Sequence, residues 1–286
     1  MPKRSSGETV YVRIIRKLFA ERHAHGRRSF DFDRGDITAI AQRLRVSVPK
    51  NLGDNIYAIR HGRQELPDDI KALAPRNKSW LLLPNGRGKY RFQAAARTFL
   101  APDESLEATL IPDATPQILN RYVQGDEQAV LARILYSRLI DIFLGVAAYR
   151  MQSHLRTTIK HFGDSQIEID EVYVGTEQSG AHFLIPVQAK GLATKERISC
   201  VQLICDNYWC AESFPNAVAR VLAAKIIRKE TLGRTKDIMT IALIEAKIDD
   251  NYNVTKARER HFKLVPSSLL SDAQVKRYRR DFLLSN

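Results

Sequence analysis

The sequence predicts a mixed α/β (α+β) protein built in two parts, and three observations lead there. Stretches of helical and strand periodicity alternate along the 286 residues. The positive charge is confined to the first third: residues 1–100 hold 21 Lys and Arg against 9 Asp and Glu, while the other 186 hold 24 against 23. A strand–turn–strand stretch at 167–191, IEIDEVYVGTEQSGAHFLIPVQAKG, gathers its polar residues at one end. The division this suggests is a basic domain at 1–100, a linker at 101–117 and a second domain at 118–286. The chain is long enough to bury a sizeable core, and its 44% hydrophobic and 27% charged residues are those of a globular protein. It has no run of eighteen apolar residues, and its first residues, MPKRSSGETV, lack an apolar leader segment. The expectation is a cytoplasmic protein with no membrane partner.

Residues 10–22 place Val10, Ile14, Ile15, Leu18 and Phe19 at helical spacing, with Arg13, Arg16, Lys17 and Arg22 outside. A polar stretch, HAHGRRSFDFDRGD, follows. Asp36 is then a candidate N-cap for a second helix over ITAIAQRLRV. After the turn at 46–49, KNLGDNIYAIR reads as a third helix. WLLLPNGRGKYRF, with Asn85-Gly86 between two apolar runs, reads as a hairpin. Helices followed by a basic hairpin resemble a winged helix-turn-helix. The resemblance implies that the third helix enters the DNA major groove and the wing touches phosphate. Lys50, Asn51, Asn55, Arg60 and Arg63 are the candidate contacts on or near that helix, and Arg87, Lys89 and Arg91 those on the wing. A solvated helix surface is the plainer account of any one of them.

Pro102, Pro112 and Pro116 make 101–117 a linker or a loosely structured bridge. Apolar positions then recur every three or four residues over 126–160, predicting a long helix with a break near Gly145. Beyond the 167–191 stretch, KERISCVQLICDNYWCA predicts another helix, and 218–227 and 237–246 predict strands rich in Val, Ile and Ala. VKRYRRDFLL near the end is a basic amphipathic segment. Cys200, Cys205 and Cys210 recur every five residues, a spacing that makes no four-ligand zinc site; they read as small buried residues.

Within 167–191, alternation puts Gln188 and Lys190 on one face of their strand, with Val187 and Ala189 on the other. A hairpin across 175–180 brings Asp170 beside that pair. A carboxylate, an amide oxygen and a lysine then meet at one end of a small sheet, a set suited to holding a divalent metal and activating water against phosphate. Glu168 shares the Asp170 face and is a second candidate metal ligand; Glu171 points the other way. A cross-strand ion pair between Asp170 and Lys190 is the plain structural alternative.

These residues resemble the catalytic core of the PD-(D/E)XK nuclease superfamily, which includes many type II restriction endonucleases. Asp170 matches the first acid of its motif, preceded by Ile169 in place of proline, and Gln188-Ala189-Lys190 matches the E-x-K half, with glutamine in place of the second acid. The resemblance implies a restriction-endonuclease-like αβββαβ core with a mixed sheet. It also implies a Mg2+ (or Mn2+) ion on Asp170, Gln188, Glu168 and the Ala189 carbonyl, and Lys190 orienting water or stabilising charge on the phosphate. A preceding helix often adds another acid, for which Glu127 is the candidate; alternatively Glu127 complements the positive end of that helix.

Two functions are open at this point. One is a sequence-specific, Mg-dependent DNA endonuclease of the restriction-enzyme type, acting on double-stranded DNA as a homodimer. The other is a DNA-binding transcriptional regulator whose second domain is a catalytically inactive, nuclease-like dimerisation module; the uncharged Gln188 favours it.

Overall fold

The computed structural model describes residues 9–47, 52–60, 64–120, 122, 127–193, 197–232 and 236–285, and shows a mixed α+β protein. Its N-terminal third begins with α1 (Val10–Arg22), capped by Thr9 and burying Ile14, Ile15, Leu18 and Phe19. The polar stretch after it, for which no element was expected, contains β1 (Ser29–Asp33). In SFDFD, Phe30 and Phe32 point inward and the aspartates outward, the two-residue alternation of a half-buried strand. The next helix, α2 (Arg34–Arg43), starts earlier than expected. Asp33 is its N-cap, and Asp36 sits three residues on, closing a capping box by accepting from the Asp33 N–H. Next come α3 (Leu52–Arg60), the short α4 (Asp68–Ala72), and a hairpin of β2 (Ser79–Pro84) and β3 (Lys89–Ala95). β3 lies between β1 and β2 in a three-stranded antiparallel sheet. Phe19, Phe30, Trp80 and Phe92 pack as an aromatic cluster between α1 and this sheet, with ring centroids 4.7–6.5 Å apart.

The chain then crosses through β4 (Phe99–Leu100) to β5 (Ala108–Pro112). The latter lies in the span expected to be a linker, yet it forms a parallel edge strand of the main sheet. Three helices follow: α5 (Gln117–Asn120), α6 (Glu127–Tyr136) and α7 (Leu139–Leu144). The helix expected to run on to residue 160 ends at Gly145, which adopts a left-handed conformation. From there the chain continues as a thirteen-residue strand, β6 (Ala147–Ile159). Two more antiparallel strands, β7 (Ser165–Thr176) and β8 (His182–Lys190), complete a meander. After β9 (Ile198–Ser199), α8 (Cys200–Ser213) crosses over the sheet. The short β10 (Val218–Ala219) and long β11 (Val221–Leu232) then pair parallel to β8. Antiparallel β12 (Lys236–Ile248) and β13 (Val254–Val265) follow, and α9 (Asp272–Ser285) closes the described chain.

The main sheet is mixed and eight-stranded, in the order β5-β13-β12-β11-β8-β7-β6 with β10 beside β8. One face packs on α8 through Leu203, Ile204, Val172 and Ala223; the other packs on α6 and α7 through Ile134, Phe143, Ile185 and Val187. All three cysteines are reduced and buried on α8, and burial pushes the thiols of Cys200 and Cys205 up to about 12. Among the described residues, no helix is long and apolar enough to cross a membrane.

Candidate active site

The site forms where two neighbouring strands separate. The ladder between β7 and β8 stops at the Glu171–Val187 pair, although β7 begins six residues earlier and β8 runs on to Lys190. Beyond the last pair, β8 keeps its partner β11 and loses β7. The Asp170 carboxylate fills the opening, its Oδ2 accepting the Ala189 N–H at 2.7 Å. A backbone donor that would otherwise be unpaired thus fixes the acid in place.

Asp170 faces a cleft of about 790 Å³ between the N-terminal third and the main sheet. Lys190 and Glu127 line the same cleft. The Lys190 ammonium donates to Glu127 Oε1 at 2.6 Å and to the Ala189 carbonyl at 2.8 Å. Lys190 is thus ion-paired with the first residue of α6, and not with Asp170 as the plain structural alternative would have it. Desolvation raises the Asp170 pKa above the ordinary value. The Lys190 charge and the Ala189 hydrogen bond oppose the rise, and Glu127 adds to it.

Gln188 takes a different position from the one expected. It is 1% exposed and buried against α8. Its Oε1 accepts from Gln202 at 2.8 Å, and its Nε2 donates to Asp206 Oδ2 at 2.9 Å and to the Glu168 carbonyl at 3.2 Å. Both ends of the amide are engaged, so its oxygen is not turned to the cleft as a metal ligand. The Ala189 carbonyl, also expected as a ligand, is held by Lys190. Glu168 stands exposed at the rim beside Arg156 and His154, at 3.5 and 3.8 Å. Glu171 is buried and accepts from the Tyr173 hydroxyl at 2.5 Å.

Asp206 is the residue that sequence reasoning missed. It lies inside α8, 1% exposed, and lines the cleft. Burial raises its pKa well above the usual carboxylate value, Gln188 opposes the rise and the Asp170 charge adds to it. Its Oδ1 and the nearby Gln202 Oε1 are buried oxygens without a hydrogen-bond partner among the described residues. A signal was available: an aspartate in the middle of an otherwise apolar helix, CVQLICDNYWC, is a buried charge that needs a reason.

Among the described residues, no group of three His, Cys, Asp or Glu side chains is close enough to form a metal cage. Oxygen donors that line the cleft are nonetheless hard ones: the carboxylates of Glu127, Glu168, Asp170 and Asp206 and the amide oxygen of Gln202, which has no partner among the described residues. That is the chemistry magnesium or manganese prefers, with water filling the remaining positions. These donor types are compatible with such an ion, although Gln188 and the Ala189 carbonyl, expected among its ligands, are engaged elsewhere.

The candidate DNA contacts separate into groups. Lys50, Asn51, Arg63 and the side chain of Asn55 lie outside the described residues. Arg60, at the end of α3, lines the cleft. Arg91 is paired with Asp31 through two contacts of 2.6 and 3.0 Å. Arg87 and Lys89 are exposed. The hairpin they sit on is docked on the main sheet: the Gly86 N–H donates to Ser165 Oγ at 2.8 Å. Comparison with family models, curated proteins and solved structures gives no match for this chain.

Proposed function

We propose that this chain is a divalent-metal-dependent DNA endonuclease with a PD-(D/E)XK-like core. The observation that carries the reading is the opening between β7 and β8, which delivers Asp170 and Lys190 to one cleft with Asp206 behind them. The order of elements supports it. A helix pair precedes three antiparallel strands, and a crossover helix leads to a fourth strand parallel to the third, the αβββαβ arrangement that the resemblance implies.

In this reading Asp170 and Asp206 hold the metal, with Gln202 contributing an oxygen. When bound, the ion neutralises non-bridging phosphate oxygens and lowers the pKa of an attacking water. Gln188 acts at one remove: its amide ties Asp206 to the Glu168 backbone and so orients the acid on α8. The second acid of the motif is thus supplied from α8. Lys190 places a positive charge and its N–H donors beside the phosphate, and Glu127 sets where that ammonium sits. Double-stranded DNA as substrate and a homodimer that cuts both strands belong to the same proposal. The N-terminal third, with its surplus of basic residues, supplies the electrostatic attraction.

The test is incubation of a long, sequence-diverse DNA with the purified protein in magnesium, in manganese and in chelator, beside Asp170→Ala and Asp206→Asn. Discrete fragments that require metal and both acids support the endonuclease. DNA left intact by wild type in every condition, with binding retained, supports the regulator, the reading favoured by an uncharged Gln188 whose two ends are both hydrogen-bonded.

A further inference from the structure

Arg60 occupies an unusual position for a surface helix arginine. It ends α3, and its side chain lines the cleft that contains Asp170, Lys190 and Asp206. Its Nε is buried and, among the described residues, has no hydrogen-bond partner. Among the described residues its guanidinium makes no salt bridge, whereas Arg16, Arg43, Arg91, Arg197 and Arg220 each pair with a carboxylate. Desolvation pulls its pKa below the usual arginine value, and no carboxylate is among the groups that oppose the shift. Arginine keeps its proton in proteins. Among the described residues, the cleft wall thus carries a half-buried cation with no carboxylate paired to it, an arrangement that favours an incoming anion.

The backbone holds this residue firmly. The Arg60 carbonyl accepts from Ser199 Oγ at 2.8 Å, tying the end of α3 to the start of α8. Cys205, which lines the same cleft as Arg60, directly precedes Asp206. A second arginine on the same wall, Arg34, donates through Nε to the Tyr90 hydroxyl at 3.2 Å and leaves the rest of its fork for the cleft. The cleft is thus lined both by carboxylates and by the Arg60 guanidinium, which makes no salt bridge among the described residues.

We propose that Arg60 binds a backbone phosphate of the nucleic acid within the cleft, next to the phosphate presented to Asp170 and Lys190. The end of α3 then forms part of the hydrolytic cleft, and Arg60 holds the strand in place of reading a base edge. The planar fork of N–H donors suits a phosphate, which several of them can engage together. The proposal rests on the nuclease reading for its substrate class, but phosphate binding itself requires no hydrolysis.

The test compares wild type, Arg60→Lys and Arg60→Met as full-length chains. Two quantities are read in chelator, where nothing is cut: the melting temperature as inorganic phosphate is titrated against chloride, and the affinity for a short DNA duplex across salt concentrations. Wild type is expected to gain melting temperature with phosphate. Arg60→Met is expected to lose that gain, to bind duplex about tenfold more weakly, and to show a salt slope reduced by about one. Arg60→Lys falls between them. If Arg60→Met matches wild type in duplex affinity and salt slope, the proposal is overturned. If Arg60→Met does not fold, the phosphate response of wild type beside Arg60→Lys decides, and a wild type with no response overturns the proposal. A chain that binds duplex through Arg60 but cuts nothing sinks the nuclease reading and leaves this one standing.

Discussion

Asp206 is buried inside an apolar helix with its Oδ1 lacking any partner among the described residues, and its titration separates a metal-binding role from a purely structural one. Its folded pKa lies well above the ordinary aspartate value because burial disfavours the charge. The folded state therefore keeps the proton more tightly than the unfolded chain. The stability this contributes is complete below the unfolded pKa of about 3.9 and is lost as pH rises through the folded value. Asp206→Asn removes the titration, so in chelator its melting temperature should exceed that of wild type at pH 8 and the advantage should vanish near pH 4. Adding magnesium at pH 8 should raise wild type and leave Asp206→Asn where it was. If magnesium stabilises both equally, Asp206 is not a ligand. On the nuclease proposal, Lys190→Ala removes the positive charge beside the phosphate and should slow cleavage on the order of 10²–10³-fold, with the metal-dependent melting shift largely kept.

At the scale of elements, the site depends on how α6, the β7–β8 opening and α8 meet. Glu127 holds the Lys190 ammonium across 2.6 Å. Glu127→Gln keeps a hydrogen-bond acceptor but drops the charge, and should lower the cleavage rate roughly 10–100-fold, as loss of an orienting partner does. Single-turnover rates measured against manganese concentration check this: a fall in maximal rate supports positioning, while a shift in the half-saturating concentration alone places Glu127 among the metal ligands. The docked hairpin gives a second test. Gly163 has φ +63°, and a Cβ there would meet the Gly86 Cα at 3.2 Å. Gly163→Ala should cost about 1–2 kcal/mol through its left-handed backbone alone, read as a fall in the denaturation midpoint.

How much of this was legible in the sequence follows from which forces act at each element. α1 could be read from its apolar spacing, and the β2–β3 hairpin from Asn85-Gly86, because both signals are local. β6 could not. It is a sheet edge with most side chains exposed, so no two-residue alternation of burial marks it, and AAYRMQSHLRTTI continues the apolar rhythm of the helices before it. Strand alternation singles out Lys190 and the 175–180 hairpin brings Asp170 beside it, and both line the cleft. Gln188 faces α8 and not the cleft because its neighbour on that face is Asp206, a contact eighteen residues away in sequence that no local pattern encodes.

For the molecule as a whole, the two parts separated by charge are joined by packing. Leu81, Leu83, Ala95 and Leu100 from the N-terminal third belong to the same apolar cluster as Leu203, Ile204 and Trp209 of α8. Polar links reinforce the junction: Arg197 with Glu65 at 2.6 Å, Ser199 with the Arg60 carbonyl, and Asn253 Oδ1 with both the Ala96 N–H and Lys78. Such a shared core predicts that the halves melt together. The two tryptophans report this directly, since Trp80 sits in the aromatic cluster of the N-terminal third and Trp209 on α8. Trp80→Phe and Trp209→Phe each leave one fluorophore, and the two denaturation curves should agree in shape and slope once each is normalised to its own midpoint. Leu83→Ala, which empties a fully buried position at the junction, should destabilise by about 2–5 kcal/mol and shift both signals together. If Leu83→Ala lowers the transition seen by one tryptophan and leaves the other in place, the halves are separate folding units, and a cleft formed between them would have to assemble only when the nucleic acid binds.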